Sequence, residues 1–155
     1  SWHDNRAWQP VIDRLEQIAQ YHSRIIVFAP TVEHAYLLST VLNARGVRSA
    51  AVTGATERSE RARLIQHFKS DAPGAQVLCN YGVLTTGFDA PRTSAAVIAR
   101  PTRSLVLYSQ MVGRAIRGRA AGGNDEALIV TVVDTNLPGF GQPQDAFVNW
   151  EDVWE

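Results

Sequence analysis

Residues 24–29 read Arg-Ile-Ile-Val-Phe-Ala, a continuous apolar run of strand length behind one arginine. From Thr31 to Gly46 the apolar spacing is that of a helix, which Thr31 can cap at its start and Gly46 at its end. Ser49–Thr53 is a second strand-length run. A strand, a helix and another strand in this order predict a βαβ unit with parallel pairing. The expected apolar face of the helix comprises Val32, Ala35, Tyr36, Leu38, Val41 and Leu42.

The alternation of strands and helices continues along the chain. Thr56 can cap a second helix, one side of which carries Arg61, Leu64, Ile65 and Phe68. The remaining expected elements are a turn at 71–74, strands at 75–79, 95–99 and 128–134, a helix from Ser104 to about Arg117, and a loop at 120–125. Because the strands are continuously apolar, the sheet should be buried on both faces. We therefore predict an α/β fold with a mainly parallel sheet of about five to six strands and helices on both faces.

The two ends of the chain differ from this pattern. Residues 1–23 are expected to form a leading helix or connector, with an apolar stripe of Trp8, Ile12, Leu15 and Ile18. The main domain is expected at 24–137. The tail at 138–155 is rich in Gly, Pro and aromatic residues and is either a docked segment or a connection to something further. Because the chain begins with Ser1, we expect a fragment or a processed chain.

Composition excludes several classes of protein. The 155 residues are 45% hydrophobic, yet no apolar run approaches the length of about 18 residues that a membrane span needs. No secretory signal pattern is present, so the cytoplasm is the expected compartment. Cys79, the single cysteine, lies in an apolar run and is expected to be buried and inert. A formal net charge of zero argues against a strongly basic nucleic-acid binder, although it leaves room for local arginine clusters.

Residues 110–117 read Gln-Met-Val-Gly-Arg-Ala-Ile-Arg. On a helix, residues three and four apart share a face, so Gln110, Arg114 and Arg117 would project together. Paired guanidinium groups suit a phosphate with developing negative charge, and Gly113 would let another surface come close. The alternative is a solvated helix end, because cations in the last turn interact favourably with the helix dipole.

Polar residues follow several of the expected strands. Thr31 follows the first strand, Thr53 and Gly54 follow the second, and the segment 80–91 follows the third. In a parallel sheet these positions share the carboxyl edge, where open α/β sheets bind ligands. Hydroxyl groups and glycine amides there suit anionic oxygens. For Thr31 and Thr56, a helix cap is an equally good interpretation.

Residues 85–89 read Thr-Thr-Gly-Phe-Asp. Thr85 and Thr86 offer two hydroxyl groups, and Gly87 permits a positive φ and a close approach. Asp89 could accept a hydrogen bond from a hydroxyl or orient an arginine. Alternatively, Asp89 satisfies the local backbone in a turn before Pro91.

Taken together, these segments resemble the second, C-terminal RecA-like domain of a superfamily 2 helicase, over residues 24–134. The matching segments are Ile25–Thr31 (motif IV), Val52–Gly54, the helix Arg61–Phe68, Thr85–Asp89 (motif V) and Gln110–Arg117 (motif VI). The sequences of residues 87–91 (GFDAP) and 100–118 (RPTRSLVLYSQMVGRAIRG) are more similar to the branch of DNA repair helicases and restriction-enzyme translocases than to DEAD-box RNA helicases.

The resemblance implies a role for each matched residue. Arg117 would be the arginine finger for the γ-phosphate of ATP, with Arg114 beside it, and Gln110 would position the nucleotide or the attacking water. Three residues would line the nucleotide side of the cleft, namely Gly87, Asp89 and Gly113. The backbone of the nucleic acid would be contacted by Thr31, Thr53, Gly54, Thr85 and Thr86.

The chain also lacks parts that the family requires. It contains no Gly-x-x-x-x-Gly-Lys-Ser/Thr segment and no DE-x-x motif that follows a strand and could hold Mg²⁺. In the family both lie on the N-terminal RecA-like domain, which would bind ATP with its Mg²⁺. The resemblance therefore implies half of an ATP-dependent helicase or translocase, inactive alone, with no metal site or membrane contact of its own.

The partners implied are the missing domain and DNA, with RNA as the alternative, and no oligomeric state is predicted. A second hypothesis is a non-catalytic RecA-like module for nucleic-acid binding or protein interaction. A third is a Rossmann-like sugar or nucleotide transferase. It predicts a glycine-rich loop after the first strand, where Pro30-Thr31-Val32 stands instead.

Overall fold

The computed structural model describes residues 5–83, 90, 92–99, 128–132 and 147–149. In chain order the elements of this part are α1 (Asn5–Ile18), β1 (Arg24–Phe28), α2 (Val32–Ala44), β2 (Arg48–Thr53), α3 (Arg58–Lys69), β3 (Gln76–Tyr81), β4 (Ala95–Ile98), β5 (Leu128–Val132) and β6 (Phe147–Asn149). The helix expected at 104–117 and the loop at 120–125 lie outside the described residues. None of the three described helices is both long and apolar enough to span a membrane.

The strands form one six-stranded sheet in the order β2-β3-β1-β4-β5-β6. All neighbouring pairs from β2 to β5 are parallel, and β6 pairs with β5 in the antiparallel direction. β1 lies near the centre and all five of its residues are buried. The predicted fold class is confirmed, and the interior position of β1 explains its unbroken apolar sequence.

Helices cover both faces of this sheet. On one face, Ile25 and Val27 of β1 pack in a layer with the apolar side chains of α1 and α2. On the other face, Ile26 and Phe28 pack with Phe68 of α3. Successive residues of a strand point to opposite faces, so one strand supplies both layers.

Both expected caps of α2 are confirmed. Thr31 is the N-cap, and its side chain accepts a hydrogen bond from the His34 amide. At the other end Gly46 has φ +86°, and the Val47 amide donates to the Leu42 carbonyl at 2.9 Å. This is the Schellman arrangement, in which a glycine takes the left-handed position.

Two details of the helix predictions were wrong. Tyr36 is 44% exposed instead of belonging to the apolar face of α2. The N-cap of α3 is Glu57 rather than Thr56, because the Glu57 carboxylate accepts from the amides of Ser59 and Glu60. These interactions, led by the Ser59 hydroxyl, lower the pKa of the Glu57 carboxyl.

The third strand is longer than expected. It runs from Gln76 to Tyr81, because its last two residues keep the parallel register with Val52 and Thr53 of β2. Asn80, which the sequence placed in a loop, is a buried strand residue whose Nδ2 donates to the Val27 carbonyl at 3.0 Å.

Arg24 is buried at the amino edge of the sheet, with 2% of its surface exposed. All five of its N–H groups find backbone carbonyls, at distances of 2.7–2.9 Å. The acceptors are the carbonyls of Ser23, Phe68, Ser70, Ala72 and Gly74. Arg24 therefore fastens the connection between α3 and β3 to the start of β1.

Both ends of the chain contribute to the fold. The expected stripe of α1 is confirmed, since Trp8, Ile12, Leu15 and Ile18 are buried in the layer that α2 also joins. Arg45 forms salt bridges with Asp13 and Glu16 of α1. In the tail, residues 147–149 form β6, which supports a docked segment there. The division at residues 23/24 and 137/138 stays a prediction.

Candidate functional site

The carboxyl ends of the parallel strands meet at one edge, as predicted. Phe28, at the end of β1, is the register partner of Asn80 in β3 and of Ile98 in β4. Thr53, at the end of β2, is the partner of Tyr81. The segments that follow these strands therefore begin side by side. We call this surface the carboxyl edge.

Thr31 lies at the carboxyl edge, half-buried, at the first turn of α2. Its Oγ1 accepts a hydrogen bond from the His34 amide at 3.0 Å. The same oxygen lies 2.8 Å from Nδ1 of the His34 ring. The hydroxyl is therefore a helix cap, and it also has a second contact with His34.

Thr53 and Thr56 close a compact turn at the end of β2. The Thr53 amide donates to the Thr56 hydroxyl at 2.9 Å, and the Thr53 hydroxyl accepts from the Ala55 amide at 3.1 Å. Thr53 is fully buried, whereas Gly54 and Ala55 are exposed. A ligand at this turn would therefore meet Gly54 and Ala55 first.

Gly54 has no structural need to be glycine in this fold. A Cβ built on it would meet no atom of the described residues within 4 Å, and its φ is not in the left-handed region. Gly82 is different, because its φ of +76° turns the chain out of β3. The absence of a side chain at Gly54 therefore leaves open space in front of the turn.

Sequence reasoning missed the role of two residues at this edge. Tyr36 is half-exposed, and its hydroxyl lies 3.5 Å from the Thr56 hydroxyl. Hydrogen bonds with Thr56 and then with Thr53 lower the pKa of the Tyr36 phenol, against a small opposing effect of burial. His34 is 3% exposed, and its ring packs on Trp8 at a centroid distance of 4.5 Å.

A sequence signal for His34 did exist. It stands three residues after the capping threonine, where a side chain can reach back to the cap. Tyr36 has no comparable signal, because an aromatic residue within a helix is usually assigned to the core.

Most of the predicted site residues, for the nucleotide and for the nucleic acid, lie outside the described part of the chain. They are Thr85, Thr86, Gly87, Asp89, Gln110, Gly113, Arg114 and Arg117, and their roles stay predictions. Within the described ranges, no three His, Cys, Asp or Glu side chains group together as metal ligands.

Comparison with known families now decides the class of this chain. The family described as "Helicase conserved C-terminal domain" matches residues 10–119, which is more than half of the chain. The chain belongs to this helicase family. The parallel sheet with its carboxyl-edge threonines is thus the C-terminal RecA-like domain of a superfamily 2 helicase.

Three curated relatives resemble this helicase domain. A "51.5 kDa protein" of Lactococcus phage (isolate 7-9) is 30% identical over 132 residues, covering 85% of this chain and 28% of the phage protein. IRC3 of Saccharomyces cerevisiae, named as a proposed ATP-dependent helicase, is 34% identical over 92 residues, covering 59% and 13%. The irc3 protein of Schizosaccharomyces pombe, named as a proposed mitochondrial ATP-dependent helicase, is 37% identical over 117 residues, covering 76% and 19%. The helicase domain thus spans at most 28% of the length of these relatives.

Solved structures share its fold. The Escherichia coli DEAD-box protein SrmB superposes with a TM-score of 0.66 at 23% identity, covering 89% of this chain and 81% of that one. The C-terminal domain of the DEAD-box protein Dbp5 gives 0.62 at 26% identity, covering 81% and 71%. The helicase domain therefore has the fold that its sequence predicted.

Proposed function

We propose that this domain is the second half of an ATP-dependent motor that unwinds DNA or translocates along it. The parallel register at the carboxyl edge carries the proposal. It brings Thr31 and the Thr53–Gly54 turn to the edge from which the chain continues, after Tyr81, toward the Thr85–Asp89 segment. This arrangement suits a surface that holds a nucleic-acid backbone and a nucleotide at the same time.

The proposed grip on the nucleic acid is a set of neutral contacts with its phosphates. Thr31 offers a hydroxyl and Gly54 an exposed, unobstructed backbone. Because Thr53 is buried, its contribution would come through the turn that it closes. Glu33 in the first turn of α2 offsets part of the attraction of the helix N-terminus for anions, so the hydroxyl carries the contact rather than the dipole. Thr85 and Thr86 complete the proposed set. Such contacts hold a strand without reading its bases.

The proposed role in ATP hydrolysis belongs to motif VI. ATP and Mg²⁺ would be held by a separate N-terminal RecA-like domain, because this sequence has neither a P-loop nor a DE-x-x motif that follows a strand. Arg117 and Arg114 would neutralise charge on the transferring phosphoryl group, and Gln110 would orient the attacking water. An arginine supplied across an interface contributes about 10³–10⁵ in rate. Gly87, Asp89 and Gly113 would line the nucleotide side of the cleft.

Coupling between the two ligands follows from the shared edge. If ATP draws the two domains together, nucleic acid bound across both favours the same closed state, and each ligand should strengthen binding of the other. Hydrolysis then removes the attraction and lets the domains part. Repetition of this cycle would move the protein along a strand.

DNA is the proposed substrate, because the sequences of motifs V and VI resemble those of DNA repair helicases and restriction-enzyme translocases. RNA is the alternative, because the two structural neighbours described above are DEAD-box proteins. The proposed compartment is the cytoplasm, although the fission-yeast relative is named as mitochondrial.

The test is an ATPase assay on the protein that contains this domain together with its P-loop domain. Oligonucleotides of DNA and RNA with the same sequence are added in parallel, and DNA should give the larger stimulation. A larger stimulation by RNA would overturn the DNA assignment. The 155-residue chain alone should show negligible turnover, and measurable hydrolysis by it would contradict a half-motor.

A further inference from the structure

The Thr31 hydroxyl has a limited number of hydrogen-bonding positions, and His34 occupies two of them. A hydroxyl group donates one proton and accepts at two lone pairs. One lone pair of Thr31 takes the His34 amide at 3.0 Å. The contact with the His34 Nδ1, at 2.8 Å, fills a second position. Among the contacts of the described residues, one position of this hydroxyl remains for a ligand.

The protonation of His34 decides what that last position can bind. If Nδ1 carries a proton, the ring donates to Thr31, both lone pairs are filled, and the O–H is left to point at a ligand. If Nδ1 carries none, the Thr31 O–H donates to the ring and only a lone pair remains. A phosphate diester oxygen is an acceptor, so it can bind only the first arrangement.

The His34 ring is held in this position by the leading helix. Its ring packs on Trp8 with an interplanar angle of 32°, and Trp8 is completely buried. This packing places the His34 ring of α2 against α1.

We propose that His34 is a positioning residue for the nucleic-acid backbone: its Nδ1–H holds the Thr31 hydroxyl as a donor toward a phosphate oxygen, and Trp8 holds the ring. This inference rests on the proposed function, because it requires that Thr31 contacts the nucleic acid. It also gives α1 a part in binding.

The experiment uses the protein that contains this domain and its P-loop domain, and measures binding of a fluorescein-labelled oligothymidylate by anisotropy. His34→Phe keeps an aromatic ring against Trp8 and removes Nδ1, and Thr31→Val removes the hydroxyl. Each should raise the Kd about tenfold, the loss of one hydrogen bond to a charged group. The kcat at saturating DNA should change little. His34→Asn, whose amide can donate near the Nδ1 position, should recover part of the affinity.

The double variant separates positioning from general structure. If His34 acts through Thr31, then His34→Phe should have no further effect on the Kd in the Thr31→Val background. Losses that multiply would overturn the inference. If Thr31→Val leaves the Kd unchanged, the Thr31 contact in the proposed function fails as well. If Thr31→Val weakens binding but His34→Phe does not, only the role of His34 fails.

A matched control lies at the opposite edge of the sheet. His22 makes a similar contact, with its Nδ1 2.6 Å from the Ser94 hydroxyl, and His22→Phe should leave the Kd unchanged. A measurement that needs no variant is the ¹⁵N spectrum of the imidazoles in the DNA-bound protein. It should show a protonated Nδ1 at His34, and an unprotonated Nδ1 would overturn the proposal.

Discussion

Thr53 and Tyr81 are register partners at the ends of β2 and β3, so the chain leaves both strands at neighbouring points of the carboxyl edge. Thr53 is followed by the exposed Gly54–Ala55 turn, and Tyr81 by Gly82 with its positive φ. Two exposed glycines, Gly54 and Gly82, therefore follow the two strands at this point of the carboxyl edge. Gly54 is therefore the most informative position at which to test contact with nucleic acid.

Gly54→Val should weaken binding of single-stranded DNA about tenfold without unfolding the domain. A Cβ at this position meets no atom of the described residues within 4 Å, so the free energy of unfolding should change by less than about 1 kcal/mol. A nucleic-acid backbone lying on the turn would meet the added methyl groups. Anisotropy and urea unfolding measure the two quantities.

Gly46→Ala is the control, because it should lower the stability of the domain and leave its affinity for DNA unchanged. Gly46 has φ +86°, so a side chain there should cost about 1 kcal/mol of stability or more, although it also has open space around it. DNA affinity should stay unchanged because Gly46 ends α2 away from the carboxyl edge. Unaltered affinity in Gly54→Val would remove this turn from the binding surface.

Arg117→Ala should abolish most ATP turnover in the protein that carries the P-loop domain. ATP binding should remain nearly intact, because the other domain holds the nucleotide, while kcat should fall about 10³-fold or more. Single-turnover hydrolysis and equilibrium binding of a fluorescent ATP analogue measure these effects. Arg63→Ala is the control, since Arg63 is 64% exposed and paired only with Glu60 among the contacts described. Wild-type turnover in Arg117→Ala would end the arginine-finger assignment.

Arg24→Met should destabilise the domain by about 3–5 kcal/mol. The change removes five hydrogen bonds, of which the one to the Phe68 carbonyl is buried and those to the Ser70, Ala72 and Gly74 carbonyls are partly buried. Arg24→Lys should be intermediate, because an ammonium group has three donors and no planar fork. Urea unfolding of the 155-residue chain measures the loss. Arg63→Met, at an exposed position, should stay within about 0.5 kcal/mol. Equal stabilities for the two methionine variants would contradict the structural role of Arg24.

Trp8→Ala should cost about 3–5 kcal/mol, because a fully buried indole leaves a cavity between α1, α2 and the sheet. Tyr21→Ala, at a side chain that is 83% exposed, should cost less than about 0.5 kcal/mol. Thermal unfolding compares the two. A Trp8→Ala protein as stable as the parent would show that the leading helix is dispensable to the core.

Cys79 should resist thiol reagents in the native state. It is fully buried, and burial raises its pKa to about 12, against a small opposing effect of the Ser49 hydroxyl. Ellman's reagent at pH 8 should therefore react with it only on unfolding in urea. Cys79→Ala combined with Ala55→Cys moves the thiol to an exposed turn and should react within seconds. Rapid labelling of the folded parent would contradict this burial.

The same thiol predicts how stability depends on alkaline pH. Its pKa is higher in the folded than in the unfolded chain, so the folded state holds the proton more tightly. This contribution is complete below about pH 9 and is lost as the pH rises toward 12. Cys79→Ala should therefore show a shallower decline in the free energy of unfolding over that range than the parent. Parallel declines would indicate that other groups account for the dependence.

The sequence predicted most of the local structure. The apolar run at 24–28, the Thr31 cap and the Gly46 C-cap depend on neighbouring residues alone, and all three are confirmed. Parallel pairing followed from the alternation of strands and helices. Parallel pairing in turn predicted that the segments following the strands lie together at the carboxyl edge.

What the sequence did not predict depends on distant partners. The five acceptors of Arg24 lie up to 50 residues away, so nothing local marks it as a buried clamp. Glu57 replaced Thr56 as the cap because the Thr53 amide already uses the Thr56 hydroxyl. The antiparallel β6 lies beyond the residues that resemble the helicase family, and it pairs with β5. The positions of Arg114 and Arg117 lie outside the described residues.

Because of the guanidinium group of Arg24, the two edges of the sheet should differ in how well they tolerate amino-acid substitutions. The five hydrogen bonds of Arg24 lie at the amino ends of the strands, at the opposite edge from the turns that we propose to contact nucleic acid. Substitutions at those turns can therefore change the affinity for a nucleic acid without destabilising the domain. A motor of the proposed kind could therefore change its preference among nucleic acids through a few surface residues while the core of the domain stays the same.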